Sequence, residues 1–164
     1  MNVKYHKKIG GLIAILLFLN PLVASAIIKT VAVKITVLAP PPCVINDNSP
    51  IVVDFGYVKT NEVDGHHYRM PIDFQLVCNG GIKNMMKLQI NGYSTEFDNT
   101  LLRTNKSGLG IKFQQGMGNL PINSWLNFTY PNKPELWAIL AKQDDVSLTS
   151  GAFSASATMH VLYQ

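Results

Sequence analysis

The chain has 164 residues, of which 47% are hydrophobic and 15% are charged, and its formal net charge is +4. This length is enough for one domain with a sizeable core. The positive charge says little about partners, because Lys4, Lys7 and Lys8 lie in a predicted leader and the remaining 11 basic and 10 acidic residues nearly balance. Without a basic run or patch, the composition excludes nucleic acid and anionic lipid surfaces as partners.

The first 26 residues have the pattern of a secretory signal peptide. A basic start is followed by the apolar run IGGLIAILLFLNPLV and by a small-residue cleavage site, Ala24-Ser25-Ala26. The alternative is a membrane anchor, but Asn20 and Pro21 interrupt an apolar run that is already short of the roughly 20 residues a bilayer requires. We therefore predict that residues 1–26 are cleaved from an exported mature chain of 138 residues.

The next segment, residues 27–42, reads IIKTVAVKITVLAPPP and predicts a strand without a neighbour. Its apolar positions alternate as in a strand with one buried face, and they are Val31, Val33, Ile35 and Val37. The three prolines that follow lack a backbone N–H and restrict φ, so they form a stiff spacer and not a hairpin return. Because an exposed apolar strand promotes aggregation, we expect this segment to insert into the sheet of a different molecule.

Cys43 and Cys78 are the only cysteines in the chain. In an exported protein an even number of cysteines is typical of a disulfide, and closing this loop contributes on the order of 3–4 kcal/mol. The alternative is a pair of free buried thiols, which is expected where the compartment keeps thiols reduced. We predict the disulfide.

Beyond Cys43, short apolar alternations are separated by turn residues. CVINDNSPIVVDFGYV predicts a strand broken at NDNSP, and HYRMPIDFQLVC predicts an alternating strand. MMKLQINGYS predicts a strand that ends at a turn formed by Asn91 and Gly92. LGIKFQQGMGNLPIN predicts a strand around Ile111 and Phe113, followed by a glycine-rich turn. PELWAILAK is compatible with a short helix or a buried strand, and the preceding prolines and the regular strand spacing favour a strand.

The last segment, GAFSASATMHVLYQ, has the clearest period of two. The residues on its apolar face are Phe153, Ala155, Ala157, Met159, Val161 and Tyr163. This alternation predicts a half-buried strand that runs to the end of the chain. Several short strands, a disulfide and the lack of any long helical pattern together predict an all-β sandwich of immunoglobulin-like type.

Six pieces of the sequence together resemble a pilin of the chaperone–usher pathway, which builds the P-type and type 1 fimbriae of Gram-negative bacteria. They are PPPCVIND, IVVDFGYV, the second cysteine, LGIKF, PELWAILAK and GAFSASATMHVLYQ, and the resemblance extends from Val31 to Gln164. In the family, a glycine fourteenth from the C-terminus and a penultimate tyrosine mark the strand with which the periplasmic chaperone pairs. Gly151 and Tyr163 occupy these two places. PPCVIN with IVVDFG is especially similar to the minor, adaptor-like subunits.

This resemblance implies an incomplete immunoglobulin-like sandwich that lacks its last strand. It also implies an N-terminal donor-strand extension, residues 27–42, ahead of a pilin domain, residues 43–164. The chaperone would fill the groove left by the missing strand, and the extension of the next subunit would replace it at the outer-membrane usher. By the same resemblance, Val31, Val33, Ile35 and Val37 would enter a neighbour's groove. Gly151 and the apolar face of the last strand would flank the groove of this subunit.

The extension departs from the family at one position. Donor extensions usually carry a glycine near the middle of the alternation, and Ile35 stands about there in this chain. A side chain of this size needs a roomier pocket in its acceptor, which could encode the choice of partner by shape. The register of insertion is therefore left open.

The sequence contains no constellation that predicts catalysis. Asp64, His66 and His67 in VDGHHY are the only local cluster that resembles a metal or acid–base site. Adjacent strand residues point to opposite faces, so a solvated loop is the simpler interpretation. GLG and GMG do not match a phosphate loop, and no serine lies in a G-x-S-x-G turn. We expect no enzyme activity, catalytic residue, metal, cofactor or small-molecule substrate.

The predicted function is that of a structural subunit of a chaperone–usher fimbria. Such a subunit is exported through the periplasm, polymerises with other fimbrial subunits by donor-strand exchange and supports bacterial adhesion from the cell surface. The alternative is a fimbrial adhesin that binds host glycans, for which a set of aromatic residues would supply stacking surfaces: Trp125, Phe128, Tyr130 and Trp137. Packing is the commoner role of such residues, and adhesins of this family carry an additional lectin domain, for which we expect no room between Ala26 and Cys43. A periplasmic β-sandwich enzyme is a third class that no constellation favours.

Overall fold

A computed structural model of the chain describes residues 43–79 and 84–164. The predicted signal peptide and the predicted extension, with Val31, Val33, Ile35 and Val37, lie outside the described residues. The regular structure in the described part is almost entirely β, and its strands are β1 (Cys43–Ile45), β2 (Arg69–Ile72), β3 (Leu76–Cys78), β4 (Met85–Asn91), β5 (Leu102–Arg103), β6 (Leu109–Gln115), β7 (Gly118–Leu120), β8 (Trp125–Thr129), β9 (Leu136–Lys142) and β10 (Thr158–Tyr163). Asn46–Asn48 form a left-handed turn after β1, in which all three residues have positive φ, and Thr60–Glu62 form a single-turn 3-10 helix before β2. Within this part of the chain no helix has the length and apolar character to cross a membrane.

The strands form three antiparallel sheets. The largest has the order β2-β9-β6-β5, with β7 also pairing with β6. A second sheet has the order β10-β4-β8, and β1 pairs with β3 in a separate ladder of three residue pairs. The predicted strand HYRMPIDFQLVC therefore divides into β2 and β3, which pair with different partners. The alternation of buried and exposed side chains continues through the break, with Ile72 and Phe74 both buried.

The core lies between the inward faces of the two larger sheets. In β4 the predicted alternation is confirmed, because Met86, Leu88 and Ile90 are 0%, 0% and 5% exposed. PELWAILAK contains a strand, as predicted, and three of its alternate residues, Leu136, Ala138 and Leu140, belong to the core cluster. The glycine-rich turn after β6 is also confirmed, since β6 and β7 pair across Gly116 and Met117.

The predicted turn at Asn91 and Gly92 is wrong. The chain passes through Gly92 without reversing, and Ser94 bridges to Leu102 in the other large sheet. A Cβ atom at Gly92 would lie 2.7 Å from Leu102 Cδ1 and 3.2 Å from Ile122 Cδ1. The Asn123 side chain also donates to the Gly92 carbonyl oxygen and accepts from its N–H. Glycine is therefore needed here because neighbouring atoms approach the backbone closely.

Candidate functional site

Residues 51–58 form a segment that we call the first wall, which bends at Gly56 and Tyr57 after residues 51–55. Its side chains alternate, with Ile51, Val53 and Phe55 half-buried against the core and Val52 exposed, as in a strand with one buried face. No ladder in the described part of the chain includes these residues. The broken strand predicted for CVINDNSPIVVDFGYV is thus paired only at β1, and its second half is a segment without a partner strand.

Residues 151–163 form the second wall, which approaches the first where the rings of Phe55 and Phe153 lie 6.1 Å apart. The predicted strand is shorter than expected, because the ladder with β4 covers only Thr158–Tyr163. Phe153, Ala155, Met159 and Val161 are half-buried and pack against the core, so the predicted face is retained beyond the ladder. Ala157, which was predicted on the same face, is instead exposed. Gly151 begins the wall with φ of +115°, a conformation that side chains disfavour.

The free edge of the second wall can be identified from the hydrogen-bond register. Gln164 donates its N–H to the Met85 carbonyl oxygen at 3.0 Å, directly beyond the β10–β4 ladder. Hydrogen-bonding direction alternates along an antiparallel strand, so every second residue before Gln164 also points its backbone groups at β4. The residues between them, from Tyr163 back to Phe153, point their N–H and C=O groups away from β4. Four of these residues, Phe153, Ala155, Met159 and Val161, direct their side chains toward the core.

The two walls border an open groove of about 1310 Å³. Its floor consists of core side chains from both larger sheets, among them Ile90, Leu102, Ile111, Phe113 and Ala138. Asp54 and Lys106 are the charged residues among those that line it in the described part of the chain. An apolar floor between two unpaired backbone edges is the arrangement that a β-strand with alternating apolar residues would fill.

The predicted disulfide between Cys43 and Cys78 is confirmed, and it joins β1 to β3 immediately before the first wall. Cys43 and Ile45 both line the groove. Strands of three residues make few hydrogen bonds, so a covalent bond here stabilises the point from which the first wall starts.

Lys106 and Asn105, in the loop between β5 and β6, hold the beginning of the second wall. The N–H of Asn105 donates to the Ser154 carbonyl oxygen at 2.9 Å, and the N–H of Ser154 donates to Asn105 Oδ1 at 2.8 Å. The ammonium group of Lys106 donates to the carbonyl oxygens of Thr149 and Ser150 at 3.0 and 3.1 Å. The sequence analysis did not find these residues, since the contacts join positions more than 40 residues apart.

Asp64, His66 and His67 are exposed, and they are not among the residues that line the groove. The backbone N–H groups of His67 and His66 each lie 2.8 Å from Asp64 Oδ1, and these hydrogen bonds lower the pKa of Asp64. Among the described residues, no group of three or more His, Cys, Asp or Glu side chains is placed to hold a metal ion. The interactions of Asp64 are those of a turn-stabilising carboxylate.

Glu62 lies close to Asp64 in the sequence. The Lys59 ammonium donates to Glu62 Oε1 at 2.9 Å and lowers the pKa of this carboxyl group, and the Tyr68 hydroxyl donates to its other oxygen at 3.3 Å. The pair is exposed, with 73% of the Lys59 side chain accessible, so we expect it to be screened by salt.

The aromatic residues considered for sugar binding do not form one surface. Trp125 is on the outer face of the β10-β4-β8 sheet, where Lys87 lies 4.6 Å from its ring centre, whereas Phe128 packs inward against the core. Trp137 is in the other large sheet, with the Arg69 guanidinium 3.6 Å from its ring centre.

A model of the family described as "Fimbrial protein" matches residues 31–164. The chain belongs to this family. It is 32% identical to the uncharacterized fimbrial-like protein YfcR of Escherichia coli strain K12, in an alignment that covers 100% of this chain and 97% of that protein.

Solved structures of pilus subunits have a similar fold. The P pilus rod subunit PapA is 28% identical with a TM-score of 0.64, and the alignment covers 76% of this chain and 100% of that chain. The P pilus adaptor subunit PapF is 25% identical with a TM-score of 0.58, covering 77% and 98% of the two chains. These likenesses confirm the predicted fold class, an all-β, incomplete immunoglobulin-like sandwich that lacks its last strand. The protein is a structural subunit of a pilus and not an enzyme, and its family implies export, assembly with other fimbrial subunits and a place in a surface fimbrium.

Proposed function

We propose that this subunit polymerises by donor-strand exchange. Its groove accepts an extended strand from another subunit, and its own residues 27–42 insert into the groove of a neighbour. The observation that carries the proposal is the groove itself, since both of its walls have unpaired backbone edges above an apolar floor. In this scheme residues 1–26 are the signal peptide that is cleaved, residues 27–42 are the donor-strand extension, and residues 43–164 are the pilin domain.

The acceptor side of the exchange is the second wall. The backbone groups of Phe153, Ala155, Ala157, Met159 and Val161 face the free edge, where an incoming strand would satisfy them. Unpaired strand edges favour addition of another strand, and apolar floor residues gain free energy when they are covered. Gly151 and Tyr163 bound this acceptor edge. The Tyr163 hydroxyl is buried without a hydrogen-bond partner in the described part of the chain.

The donor side is the alternating segment ahead of the prolines. Val31, Val33, Ile35 and Val37 have the spacing of side chains that all enter one groove, and each buried branched side chain contributes roughly 1.5–3 kcal/mol. The prolines keep the strand extended and separate it from its own domain.

Before assembly, an open groove also exposes the subunit to aggregation. A subunit with an uncovered apolar groove and free strand edges aggregates unless a partner covers them. We therefore assign the subunit two transient partners, a periplasmic chaperone that occupies the groove during export and an outer-membrane usher at which the next subunit replaces the chaperone. The resulting fibre supports bacterial adhesion from the cell surface.

Two matched variants test the acceptor groove. The mature chain is refolded by dilution with an excess of a fluorescent peptide of residues 27–38, and peptide capture is followed by size-exclusion chromatography. Ala155→Arg should abolish capture, because the side chain at this position packs on the core and lines the groove, whereas Ser156→Arg should retain it, because Ser156 is exposed. Equal capture by both variants would contradict the assigned faces. A wild-type chain that captures no peptide and remains a stable, soluble monomer would contradict donor-strand exchange.

Deleting residues 27–38 tests the donor side separately. The shortened chain should still capture the peptide and still bind a chaperone, but it should no longer insert into another subunit. A shortened chain that continues to polymerise would show that the extension is not the donor.

A further inference from the structure

The beginning of the second wall is held by a loop and not by a strand. Residues 152–157 lie outside every ladder in the described part of the chain, yet they continue the face that packs on the core. Ser154 is fixed by the reciprocal pair of hydrogen bonds with Asn105, at 2.9 and 2.8 Å. Two residues that exchange hydrogen bonds in this way reproduce one pair of an antiparallel ladder, with the Asn105 side chain replacing a backbone carbonyl.

The direction of these bonds leaves the groove side of the wall free. Ser154 lies an even number of positions before Gln164. Because hydrogen-bonding direction alternates along a strand, its backbone groups point to the side of the wall on which β4 lies. Asn105 therefore takes the place of β4 beyond the end of the ladder. The backbone groups of Phe153 and Ala155 remain directed at the groove.

The loop that carries Asn105 is itself firmly attached. The Thr104 side chain is buried, and its hydroxyl lies 2.8 Å from the Leu109 carbonyl oxygen and 3.1 Å from the N–H of Lys106. The Gly108 carbonyl oxygen accepts from the N–H of Gln143 at 2.8 Å, at the end of β9. The loop is thus attached to the larger sheet, and the beginning of the second wall is attached to the same sheet through the loop.

Lys106 fixes the residues just before the wall. Its ammonium group donates to the carbonyl oxygens of Thr149 and Ser150, which precede the left-handed Gly151. Together the two side chains determine where the wall begins and in which direction it runs.

We infer that Asn105 and Lys106 are positioning residues that preform the acceptor edge and thereby set the rate at which a strand enters the groove. This inference rests on the proposed donor-strand function. An edge that is already extended and correctly oriented needs no further ordering when the incoming strand arrives, and that ordering is a large part of the free-energy cost of binding. Loss of the contacts should therefore slow association more than it speeds dissociation.

Asn105→Ala and Asn105→Asp are the test pair. Alanine removes the acceptor of the Ser154 N–H, whereas aspartate keeps an oxygen at the same place. A third variant, Asn119→Ala, serves as the control, because it removes an exposed asparagine whose side chain accepts from Gln114 in the β6–β7 hairpin. Each mature chain is refolded by dilution, and the fluorescent peptide of residues 27–38 is added while its anisotropy is followed in time.

The first measurement is amide hydrogen exchange, which does not depend on strand exchange. In Asn105→Ala the amide of Ser154 should exchange about tenfold faster, the factor that corresponds to one lost hydrogen bond. Exchange in β10 should not change, and Asn105→Asp should behave as wild type. Unchanged exchange at Ser154 in Asn105→Ala would overturn the inference and leave the proposed function intact.

The second measurement is the association rate of the peptide. Asn105→Ala should bind about tenfold more slowly with a similar dissociation rate, and Asn105→Asp and Asn119→Ala should bind at the wild-type rate. An unchanged association rate despite faster exchange at Ser154 overturns the positioning role alone. Failure of the wild-type chain to bind the peptide overturns donor-strand capture, and the positioning role with it.

Discussion

Removing the disulfide should destabilise the subunit by an amount that follows from its loop. Cys43 and Cys78 are separated by 35 positions, and releasing a loop of this length returns chain entropy worth about 4 kcal/mol to the unfolded state. That is a large fraction of the 5–15 kcal/mol by which domains are usually stable. The effect should be concentrated at β1 and the first wall, because β1 is held otherwise by only three residue pairs with β3.

The assay is urea unfolding of the double variant Cys43→Ala, Cys78→Ala beside the wild-type chain. With a slope of about 2 kcal/mol per molar urea, the midpoint should fall by roughly 2 M. A reducing agent should lower the wild-type midpoint to that of the variant and leave the variant unchanged. Hydrogen exchange should rise first in residues 43–58.

A loss of less than about 1 kcal/mol would refute the reasoning, since it would mean that the unfolded chain gains little freedom when the bond is absent. A normal peptide capture by the double variant would refute the link between the disulfide and the groove, because Cys43 and Ile45 contribute to the groove lining.

Two further predictions concern single side chains. Gly92→Ala should cost about 1–3 kcal/mol in urea unfolding, because its Cβ would lie 2.7 Å from Leu102 Cδ1, whereas Gly118→Ala, with a nearest atom at 3.5 Å, should be tolerated; equal losses would contradict the crowding at Gly92. Lys59→Met should raise the midpoint of Glu62 in an NMR pH titration toward the ordinary pKa of 4.5, because the hydrogen bond from Lys59 keeps the folded pKa below it. The contribution of this pair to stability is present above the ordinary pKa and is lost as the pH falls through the lowered one, and an unchanged midpoint in the variant would contradict it.

The strands that the sequence predicted well are those whose neighbours are themselves regular strands. In β4 the inward residues Met86, Leu88 and Ile90 are all buried, as their spacing indicates. β9 was harder, because Ala138, Ile139 and Leu140 are consecutive and all buried, so no period distinguishes a helix from a strand. The disulfide was predictable because the chain has only two cysteines and a leader that predicts export.

The local sequence patterns could not predict which strand each strand pairs with. Residues 51–55 alternate between half-buried and exposed side chains, yet they have no partner strand in the described part of the chain. Alternation reports that one face is buried, and it says nothing about which chain supplies the adjacent strand. The prediction of a turn at Gly92 was wrong for a related reason. A glycine is needed there because the side chains of Leu102 and Ile122, which are distant in sequence, lie too close for a Cβ atom.

The candidate site was predictable on one wall only. The apolar face from Phe153 to Tyr163 could be identified from its period, and Gly151 and Tyr163 could be identified from the family resemblance. Asn105 carries no such signal, because its contact with Ser154 joins residues 49 positions apart. The donor residues of the extension stay a prediction, since they lie outside the described residues.

An occupant of the groove would interact with the second wall in two ways, through backbone hydrogen bonds at the free edge and through side-chain packing on the floor. At Phe153, Ala155 and Met159, the residues that present backbone groups to the free edge also pack their side chains on the core and line the groove. Backbone groups are alike in every strand, so this edge holds a strand without regard to its composition, and only the floor distinguishes one occupant from another. Only every second side chain of an occupant would therefore contact the floor and contribute to specificity. In the proposed donor strand, the intervening positions, such as Lys34 between Val33 and Ile35, would be free to vary without altering the choice of partner.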